Sequence, residues 1–351
     1  MNVTKAVARV LTSRAVAPVF RPLVRHAVPV FMFHRFVDRD LGSDGLDPRV
    51  LRAQLEYLRR ERFDLISLAA MTGETNGRGV RPGVAFTVDD GYTDFASVAA
   101  PVFAEFDCPV TVFIVTGAAD DRSWLWWDRV AFAFAGTRRT GFELDLEGKR
   151  LSYRWSNAEE RQRIEATFIE WLKTIPDGTK LEIIDKLSTL LDVEIPSLPP
   201  RKYQSMSWEE MRQFRQGGLV TFGPHTVTHP ILPQTSDEQS AREITGAWQR
   251  LREMCDATVP VFCYPNGAYS AREVTTLGKT DMVGALTCEH RYASRSAFAA
   301  ENPRRRFAVP RVTSHDEFPH FAQIVNGIER VKLRVRDGKT GWSTAGTQTS
   351  A

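Results

Sequence analysis

The stretch VAFTVDDGYTD, residues 84–94, decides the fold. Its first half is a short apolar run typical of a buried strand, and two adjacent carboxylates, Asp89 and Asp90, follow it directly. Two like charges at the end of a buried strand disfavour each other's ionisation, and a bound cation is the usual relief. Because successive side chains of a strand point to opposite faces, one aspartate could bind a metal while the other handles protons. The competing interpretation is an ordinary turn, which Asp-Gly favours when it stands alone.

Short β-branched runs recur on both sides of this stretch, with helical stretches between them. Most of the runs are almost continuously apolar, as expected for parallel strands covered on both faces. The alternation of strand and helix predicts an α/β fold, a distorted (β/α) barrel of seven or eight strands. The predicted strands are residues 28–33, 64–68, 84–88, 109–115, 219–223, 259–264, 282–287 and 307–312.

The helices carry their own boundary signals. Asp47 and Pro48 fit an N-cap and a first-turn position, and Ser207 with Glu210 forms a capping box. A further helix is predicted over residues 237–254.

One region departs from the alternation. Residues from about 117 to 205 contain no obvious barrel strand and are far too long for a connecting loop. We interpret them as a mainly helical insertion on the barrel rim, called here the rim insertion. It begins with SWLWWD, residues 123–128. The sequence pattern after this stretch predicts a hairpin over 141–155 and helices over 158–172 and 180–191. The barrel domain would span residues 28–335, after a basic segment of residues 1–27 and before a disordered tail of residues 336–351.

Charge narrows the classes of partner. The chain has 46 Lys and Arg residues against 43 Asp and Glu, and a net charge of +3 does not suggest a nucleic-acid-binding protein. The first acidic residue is Asp38, and this leaves an entirely basic N-terminal segment. That segment either touches an anionic membrane surface or forms a solvated helix packed on the barrel. The basic residues before Asp38 are Lys5, Arg9, Arg14, Arg21, Arg25 and Arg35.

Location is predicted from the same segment and from the cysteines. The N-terminal arginines interrupt every apolar window that a secretory signal would need, and no stretch approaches the length of a membrane span. The four cysteines lack CxxC spacing, which favours small buried side chains over a metal or redox motif. Unpaired cysteines of this kind are typical of a protein in a reducing compartment. We therefore expect a cytoplasmic protein, with membrane association through the basic segment as an option.

A second motif, GPHTVTHP, follows the predicted strand 219–223 and carries His225 and His229. Four residues make one helical turn, so both imidazoles can face a single point. With one carboxylate they would form a set of two histidines and one aspartate that leaves room for water and substrate. A single histidine is more often structural, but two at this spacing after a strand favour metal binding.

The two motifs support each other through the predicted fold. In a parallel barrel the carboxyl ends of all strands meet at one face, where catalytic groups gather. The aspartate pair ends one predicted strand and the histidine pair follows another, while His34 follows a third and Tyr264 ends a fourth.

With these residues in view, the chain resembles the polysaccharide deacetylases of carbohydrate esterase family 4. The resemblance extends over about residues 28–312, where TVDDGYTD, HTVTHP and FCYPNGAYS are similar to the first three motifs of that family. It implies that Asp90, His225 and His229 hold a divalent metal, most often Zn²⁺, and that Asp89 is the general base. In such chemistry an activated water attacks the acetamide carbonyl, and the metal and a backbone N–H near Tyr264 stabilise the oxyanion.

The proton donor departs from the family pattern. The usual donor is a histidine in a late Leu-x-His motif, and His315 in RVTSHDE lies several residues beyond the last predicted strand. The run VPVFMFHRF resembles the Tyr-His-Arg motif of deacetylases that take their acid from the first strand, with Phe33 in place of the tyrosine. This resemblance implies His34 as the acid, the alternative being a structural histidine. Arg311 resembles a family arginine that orients the catalytic aspartate.

Several other residues are candidates for sugar contacts. Trp126 and Trp127 suit stacking on sugar rings from a rim loop, although clustered tryptophans belong to a core equally often. Asp128 could bind sugar hydroxyls or cap a helix. The third motif adds Tyr264, Pro265 and Asn266 to the predicted substrate-binding residues.

The sequence thus predicts a metal-dependent hydrolase that removes N-acetyl groups from a sugar of a cell-envelope glycan, an exopolysaccharide or a precursor of either, with O-acetyl groups as the second choice. A cytoplasmic location would favour a precursor, such as a lipid-linked sugar. One alternative is a non-catalytic carbohydrate-binding protein on the same fold, which the missing late histidine motif supports. Another is a hydrolase that removes a different small acyl group, such as formyl, from an amino sugar.

Overall fold

A parallel β-sheet forms the centre of the molecule. The structure is a computed structural model that describes residues 16–73, 81–121, 123–146, 148–313 and 316–339. The strands in these residues are β1 (Ala27–Val28), β2 (Val30–Phe33), β3 (Asp64–Leu65), β4 (Gly83–Val88), β5 (Val110–Ile114), β6 (Gly141–Leu146), β7 (Lys149–Arg154), β8 (Val220–Pro224), β9 (Val261–Cys263), β10 (Gly284–His290), β11 (Ala293–Ser294) and β12 (Val309–Thr313).

Seven of these strands form a continuous parallel path in the order β8-β5-β4-β2-β12-β10-β9, and the short β3 pairs with the start of β4. The two ends of the path almost meet. The Phe222 N–H donates to the Ala257 carbonyl at 2.8 Å, and the Val259 N–H donates to the Phe222 carbonyl at 2.9 Å. The sheet is therefore a nearly closed, distorted barrel, which confirms the predicted fold class.

Several predicted strands differ from the structure at their ends, and two differ for a reason that the sequence contains. The run 28–33 is divided at Pro29, so that β1 pairs with β11 in a separate antiparallel pair while β2 enters the barrel. Proline lacks the N–H that a central strand must donate, which explains the break. The predicted strand 64–68 stops at Leu65, because Ser67 caps the helix that begins at Leu68.

Helices cover the outside of the barrel and build the rim insertion. They are α1 (Ala17–Phe20), α2 (Pro48–Arg60), α3 (Leu68–Thr72), α4 (Ala100–Glu105), α5 (Thr116–Asp121), α6 (Trp126–Gly136), α7 (Ala158–Leu172), α8 (Asp177–Leu191), α9 (Trp208–Arg212), α10 (Asp237–Met254), α11 (Ala271–Leu277), α12 (Pro303–Arg306), α13 (Phe318–Val325) and α14 (Ile328–Lys339). Single turns of 3-10 helix lie at Arg21–Val24, Arg201–Tyr203, Gln213–Gln216, Leu232–Gln234 and Pro265–Gly267, and a π-helical turn at Phe95–Ala99.

The residues predicted to cap the helices form those caps in the structure. The Asp47 carboxylate accepts the backbone N–H of Arg49, and Pro48 occupies the first turn of α2. Ser207 and Glu210 form the reciprocal capping box of α9. The helix predicted over 237–254 is α10 with the same bounds, capped by Ser236.

Side chains of successive strand residues alternate between two buried clusters. Phe31, Phe86 and Val112 belong to the cluster packed beneath the outer helices. Their neighbours Val30 and Ala85 belong to a second cluster, which also contains Phe113 and Leu286 and fills the barrel. The interior is therefore a packed core, and a site can form only at an end of the barrel.

The rim insertion has an apolar core of its own. The predicted hairpin is confirmed as the antiparallel pair β6–β7, and the predicted helices are α7 and α8. This cluster is built from both helices, the hairpin and α6, and its fully buried members include Val130, Phe134, Phe168 and Leu187.

Both ends of the chain depart in part from the prediction. In the basic N-terminal segment, the Arg21 guanidinium pairs with Glu61 and donates to Asn326, so this charge is used inside the molecule. Helix α14 continues to Lys339, four residues into the predicted disordered tail, whose remainder lies outside the described residues. In the described part of the chain, no helix combines the length and the apolar character needed to cross a membrane.

Candidate metal and catalytic site

The two aspartates lie at the carboxyl end of β4, where the strand becomes a turn. The Asp89 N–H still donates to the Phe33 carbonyl at 2.9 Å, as in the sheet. Asp90 and Gly91 then adopt left-handed backbone angles, with φ of 68° and 69°. The turn interpretation therefore holds, and the turn itself directs the two carboxylates to different places.

The histidine pair follows β8, but the segment is not a helical turn as the four-residue spacing predicted. Thr226 and His229 have φ of 68° and 59°, so the chain folds in a tight irregular loop. The Glu243 carboxylate on α10 holds this loop by accepting the backbone N–H groups of Val227 and Thr228 and the Thr228 hydroxyl, at 2.6–2.9 Å. The loop still brings both imidazoles to one point.

Asp90, His225 and His229 converge as the sequence predicted. The Nε2 atoms of the two histidines are 3.2 Å apart, and they lie 3.5 Å and 3.4 Å from Asp90 Oδ1. All three side chains are buried, and Asp90 Oδ1 has no hydrogen-bond partner among the described residues. A buried carboxylate oxygen without a donor is costly, and two imidazoles beside it are ligands that divalent cations accept. These residues fit a divalent metal.

The ring nitrogens of the two histidines support the same conclusion. His225 Nδ1 lies 2.7 Å from the Cys263 carbonyl, which leaves Nε2 free to act as a ligand. Burial and the adjacent His225 lower the pKa of His229 to about 3, whereas the contacts of His225 with Cys263 and Asp90 outweigh burial and raise the pKa of His225 well above its usual value. Because a histidine must be neutral to bind a metal, a bound cation would displace the proton held by His225.

Arg311 binds Asp89 with a two-pronged contact. Its Nη1 and Nη2 atoms donate to Oδ1 and Oδ2 of the carboxylate at 2.7 Å and 2.8 Å, and its Nε donates to the Thr287 carbonyl at 3.0 Å. Burial raises the pKa of Asp89, but the charge and hydrogen bonds of Arg311 outweigh it and hold the pKa below its usual value. Asp89 is therefore an oriented, ionised carboxylate beside Asp90, His225 and His229.

His34 lies at the open side of this group. Its Nε2 atom is 3.9 Å from Asp89 Oδ2, and its side chain is 47% exposed, against 2% for Asp89. Its position after β2 places it at the same end of the barrel as the aspartates. An exposed imidazole at the edge of a buried site can meet both solvent and a bound molecule. His315, the other candidate donor, lies outside the described residues.

The third motif divides between the interior and the surface. The Tyr264 side chain is fully buried, with its hydroxyl donating to the Phe307 carbonyl at 3.0 Å, and its backbone N–H donates to the Leu286 carbonyl at 3.2 Å. Pro265 is also buried. Both donors of Tyr264, its hydroxyl and its N–H, are therefore already used within the fold. Asn266 is exposed and takes a left-handed backbone angle, φ 55°.

The aromatic residues of the rim insertion approach His229 from outside. The Trp126 indole N–H donates to the His229 carbonyl at 3.2 Å, and the Trp127 ring packs on the His229 ring at 4.4 Å between centroids. Asp128 accepts the Tyr92 hydroxyl at 2.6 Å, and burial raises its pKa to about 7. Trp126 and Asp128 are buried, so neither offers a surface to a sugar, whereas Trp127 is partly exposed.

Sequence reasoning missed Glu243 as a residue of the site. Its signal was present, since Glu243, Ala247 and Leu251 share one face of α10 and are all buried. A carboxylate on an otherwise apolar helix face needs a partner, and here the partners are the N–H groups of the histidine loop.

The fold and the site together define a hydrolase class in which two histidines and one aspartate lie beside a second, ionised aspartate. The sequence model of the polysaccharide deacetylase family matches residues 76–284. The chain belongs to this family, whose members are hydrolases that act on carbon–nitrogen bonds other than peptide bonds.

Solved structures with a similar fold include other deacetylases. The Streptococcus pyogenes deacetylase PplD, solved with acetate, is 15% identical over 85% of this chain and 97% of its own, with a TM-score of 0.53. IcaB from Ammonifex degensii is 15% identical over 86% of this chain and 97% of its own, with a TM-score of 0.52. A polysaccharide deacetylase from Bacillus cereus is 15% identical over 86% of this chain and 69% of its own, also at 0.52. No curated protein matches the chain in sequence.

Proposed function

We propose that the protein is a metal-dependent deacetylase that removes N-acetyl groups from a sugar of a cell-envelope glycan, an exopolysaccharide or a precursor of either. One observation carries the proposal: the ligand atoms of Asp90, His225 and His229 converge beside Asp89, a separate ionised carboxylate. A fold that served only to bind sugar would need neither the buried ligand set nor the adjacent base.

The ligand set would hold a divalent cation, and we propose Zn²⁺ because two imidazoles and one carboxylate suit it. When bound, such a cation lowers the pKa of water and polarises a carbonyl group. The chain's own residues supply the rest of the chemistry.

Asp89 is the proposed general base. Arg311 holds the carboxylate ionised and fixes its plane through two hydrogen bonds, and each oxygen keeps a lone pair with which to accept a proton. Because Arg311 is itself fixed by the Thr287 carbonyl, the base cannot rotate away from the metal ligands. Arg311 therefore acts on the reaction by positioning Asp89.

His34 is the proposed general acid, which protonates the sugar amine as it leaves. Its Nε2 atom lies 3.9 Å from Asp89 Oδ2, and its side chain is 47% exposed, so it can reach both the base and a molecule that approaches from solvent. Of the predicted sugar contacts, Trp127 and Asn266 are the two that keep exposed surface.

The proposal is tested by incubating the Zn²⁺-loaded protein with N-acetylated oligosaccharides and lipid-linked amino sugars and measuring new free amines and released acid. Acetate release that is lost in Asp89→Asn, while Zn²⁺ remains bound, is the expected result. Formate instead of acetate on matched substrates would favour the alternative acyl group. Sugar binding without any released acid would favour the non-catalytic protein.

Cytoplasmic location and membrane contact through the basic N-terminal segment are part of the proposal. The described cysteines are free thiols, three of them buried, which is compatible with a reducing compartment. Fractionation tests both, since recovery outside the cytoplasm would exclude the first and recovery only in the soluble fraction would exclude the second.

A further inference from the structure

The two histidines are oriented by different means. His225 is fixed through its second ring nitrogen, which lies 2.7 Å from the Cys263 carbonyl. The corresponding atom of His229, Nδ1, is buried and has no hydrogen-bond partner in the described part of the chain. Metal-binding histidines usually depend on that second contact for their orientation. Something else must therefore hold the His229 ring.

The rim insertion supplies that support at two points. The Trp127 ring packs on the His229 imidazole at 64° and 4.4 Å between centroids, which is an edge-to-face contact. The Trp126 indole N–H donates to the His229 carbonyl at 3.2 Å, which stabilises a residue whose backbone is left-handed. Neighbouring tryptophans thus hold the ring and the backbone of the same residue.

Each tryptophan is in turn fixed from behind. The Trp127 indole N–H donates to the Tyr92 hydroxyl at 3.0 Å, and that hydroxyl donates to Asp128. The ammonium group of Lys180 lies over the Trp126 ring, 4.7 Å from its centroid, in a cation–π contact. Lys180 is buried and paired with Asp177 on the same helix.

Backbone hydrogen bonds also join the two ends of the rim insertion to the segments that follow β8 and β4 in the site. At its start, the N–H groups of Thr116 and Gly117 donate to the carbonyls of Thr226 and Val227, at 3.1 Å and 2.9 Å. Past its far end, the Met206 N–H donates to the Gly91 carbonyl at 2.8 Å. The start of the rim insertion is therefore hydrogen-bonded to the loop that carries His225 and His229. The residue just past its end is hydrogen-bonded to the turn that carries Asp89 and Asp90.

We propose that the rim insertion sets the affinity of the metal site, with Trp127 as the positioning residue of His229. This assigns Trp126 and Trp127 to the support of a metal ligand, a role that is distinct from the sugar contacts predicted from the sequence. The inference rests on the metal-binding part of the proposed function.

The test measures Zn²⁺ affinity of the full chain by competition with a chromogenic chelator, without substrate. Trp127→Leu should bind Zn²⁺ about 10–100-fold more weakly, as expected when a group that orients a ligand is lost. Trp127→Phe, which keeps a flat ring, should stay within about threefold of the wild type. Trp124→Leu is the matched control, because Trp124 belongs to the same SWLWWD stretch but packs on Phe132 and Tyr203 and donates to the Pro196 carbonyl.

A second readout is the absorption spectrum of the Co²⁺-substituted protein, which reports ligand geometry. It should change in Trp127→Leu and not in Trp124→Leu. Wild-type affinity and spectrum in Trp127→Leu would overturn the inference, as would equal losses in both leucine variants. If Trp127→Leu does not fold, Trp127→Met provides the same comparison. A wild-type protein that binds Zn²⁺ but releases no acid would contradict the proposed function and leave this inference standing.

Discussion

The Arg311 guanidinium and the Asp89 carboxylate share two parallel hydrogen bonds, at 2.7 Å and 2.8 Å, and both side chains are buried. Such a pair costs desolvation energy on both sides, so its value is geometric rather than stabilising. It fixes the direction of one carboxylate while its neighbour Asp90 stays free for a cation.

Removing one partner of this pair should be strongly destabilising. In Arg311→Met the free energy of unfolding should fall by about 3–5 kcal/mol, because Asp89 is left as a buried charge without compensation. Urea denaturation measures the change. The double variant Asp89→Asn, Arg311→Met should lose less than the sum of the two single variants, and strict additivity would contradict the coupling.

The base should be separable from the metal site. Asp89→Asn should lower kcat for acetate release by about 10²–10⁴-fold, because the carboxylate that takes the proton is lost. Zn²⁺ affinity should change little, because Asp90, His225 and His229 are untouched. A parallel loss of metal would assign Asp89 to the ligand set instead.

The metal should stabilise the fold. At a free Zn²⁺ concentration of 100 times Kd, the free energy of unfolding should rise by about 2.7 kcal/mol. In thermal denaturation, the Zn²⁺-loaded wild type should have a higher Tm than the same protein treated with chelator. Asp145→Ala, a control whose side chain is exposed on the hairpin, should show the same difference. Asp90→Ala should lose the shift.

The acid should matter only for a poor leaving group. His34→Gln should slow release of acetate from an N-acetyl sugar by about 10²–10⁴-fold, since the amine must leave protonated. Hydrolysis of 4-nitrophenyl acetate should be nearly unchanged, because a nitrophenolate leaves without a proton. His26→Gln, at an exposed histidine, is the control. Equal losses on both substrates would argue against His34 as the acid.

Asp128 should make stability depend on pH. Burial raises its pKa from 3.8 to about 7, so the folded state favours the protonated form. Its contribution to stability is full below about pH 4 and is lost as the pH rises to about 7, with an upper bound of about 4 kcal/mol. Asp128→Asn resembles the protonated form and should lack this slope. Urea denaturation at pH 5 and pH 8 measures the difference, and parallel slopes would contradict the shift.

The sequence predicts the convergence of the aspartate pair with the histidine pair because its signals are local. Asp89 and Asp90 are adjacent, His225 and His229 are four residues apart, and the parallel barrel brings both pairs to one end. The local conformation was harder to predict, since the histidine loop depends on Glu243, a residue on the following helix. The same limit applies to tertiary packing. The hydrogen bond from the Trp126 indole to the His229 carbonyl joins residues 103 positions apart, and no pattern in either segment predicts it.

The separate core of the rim insertion has a consequence for heat inactivation. A unit with its own buried cluster can open as one cooperative step at a free energy below that of the whole molecule. Because its aromatic residues contact His229, opening of that unit would release the imidazole while the barrel strands stay paired. The temperature at which the protein stops working would then be set by this peripheral unit, well before the barrel itself melts.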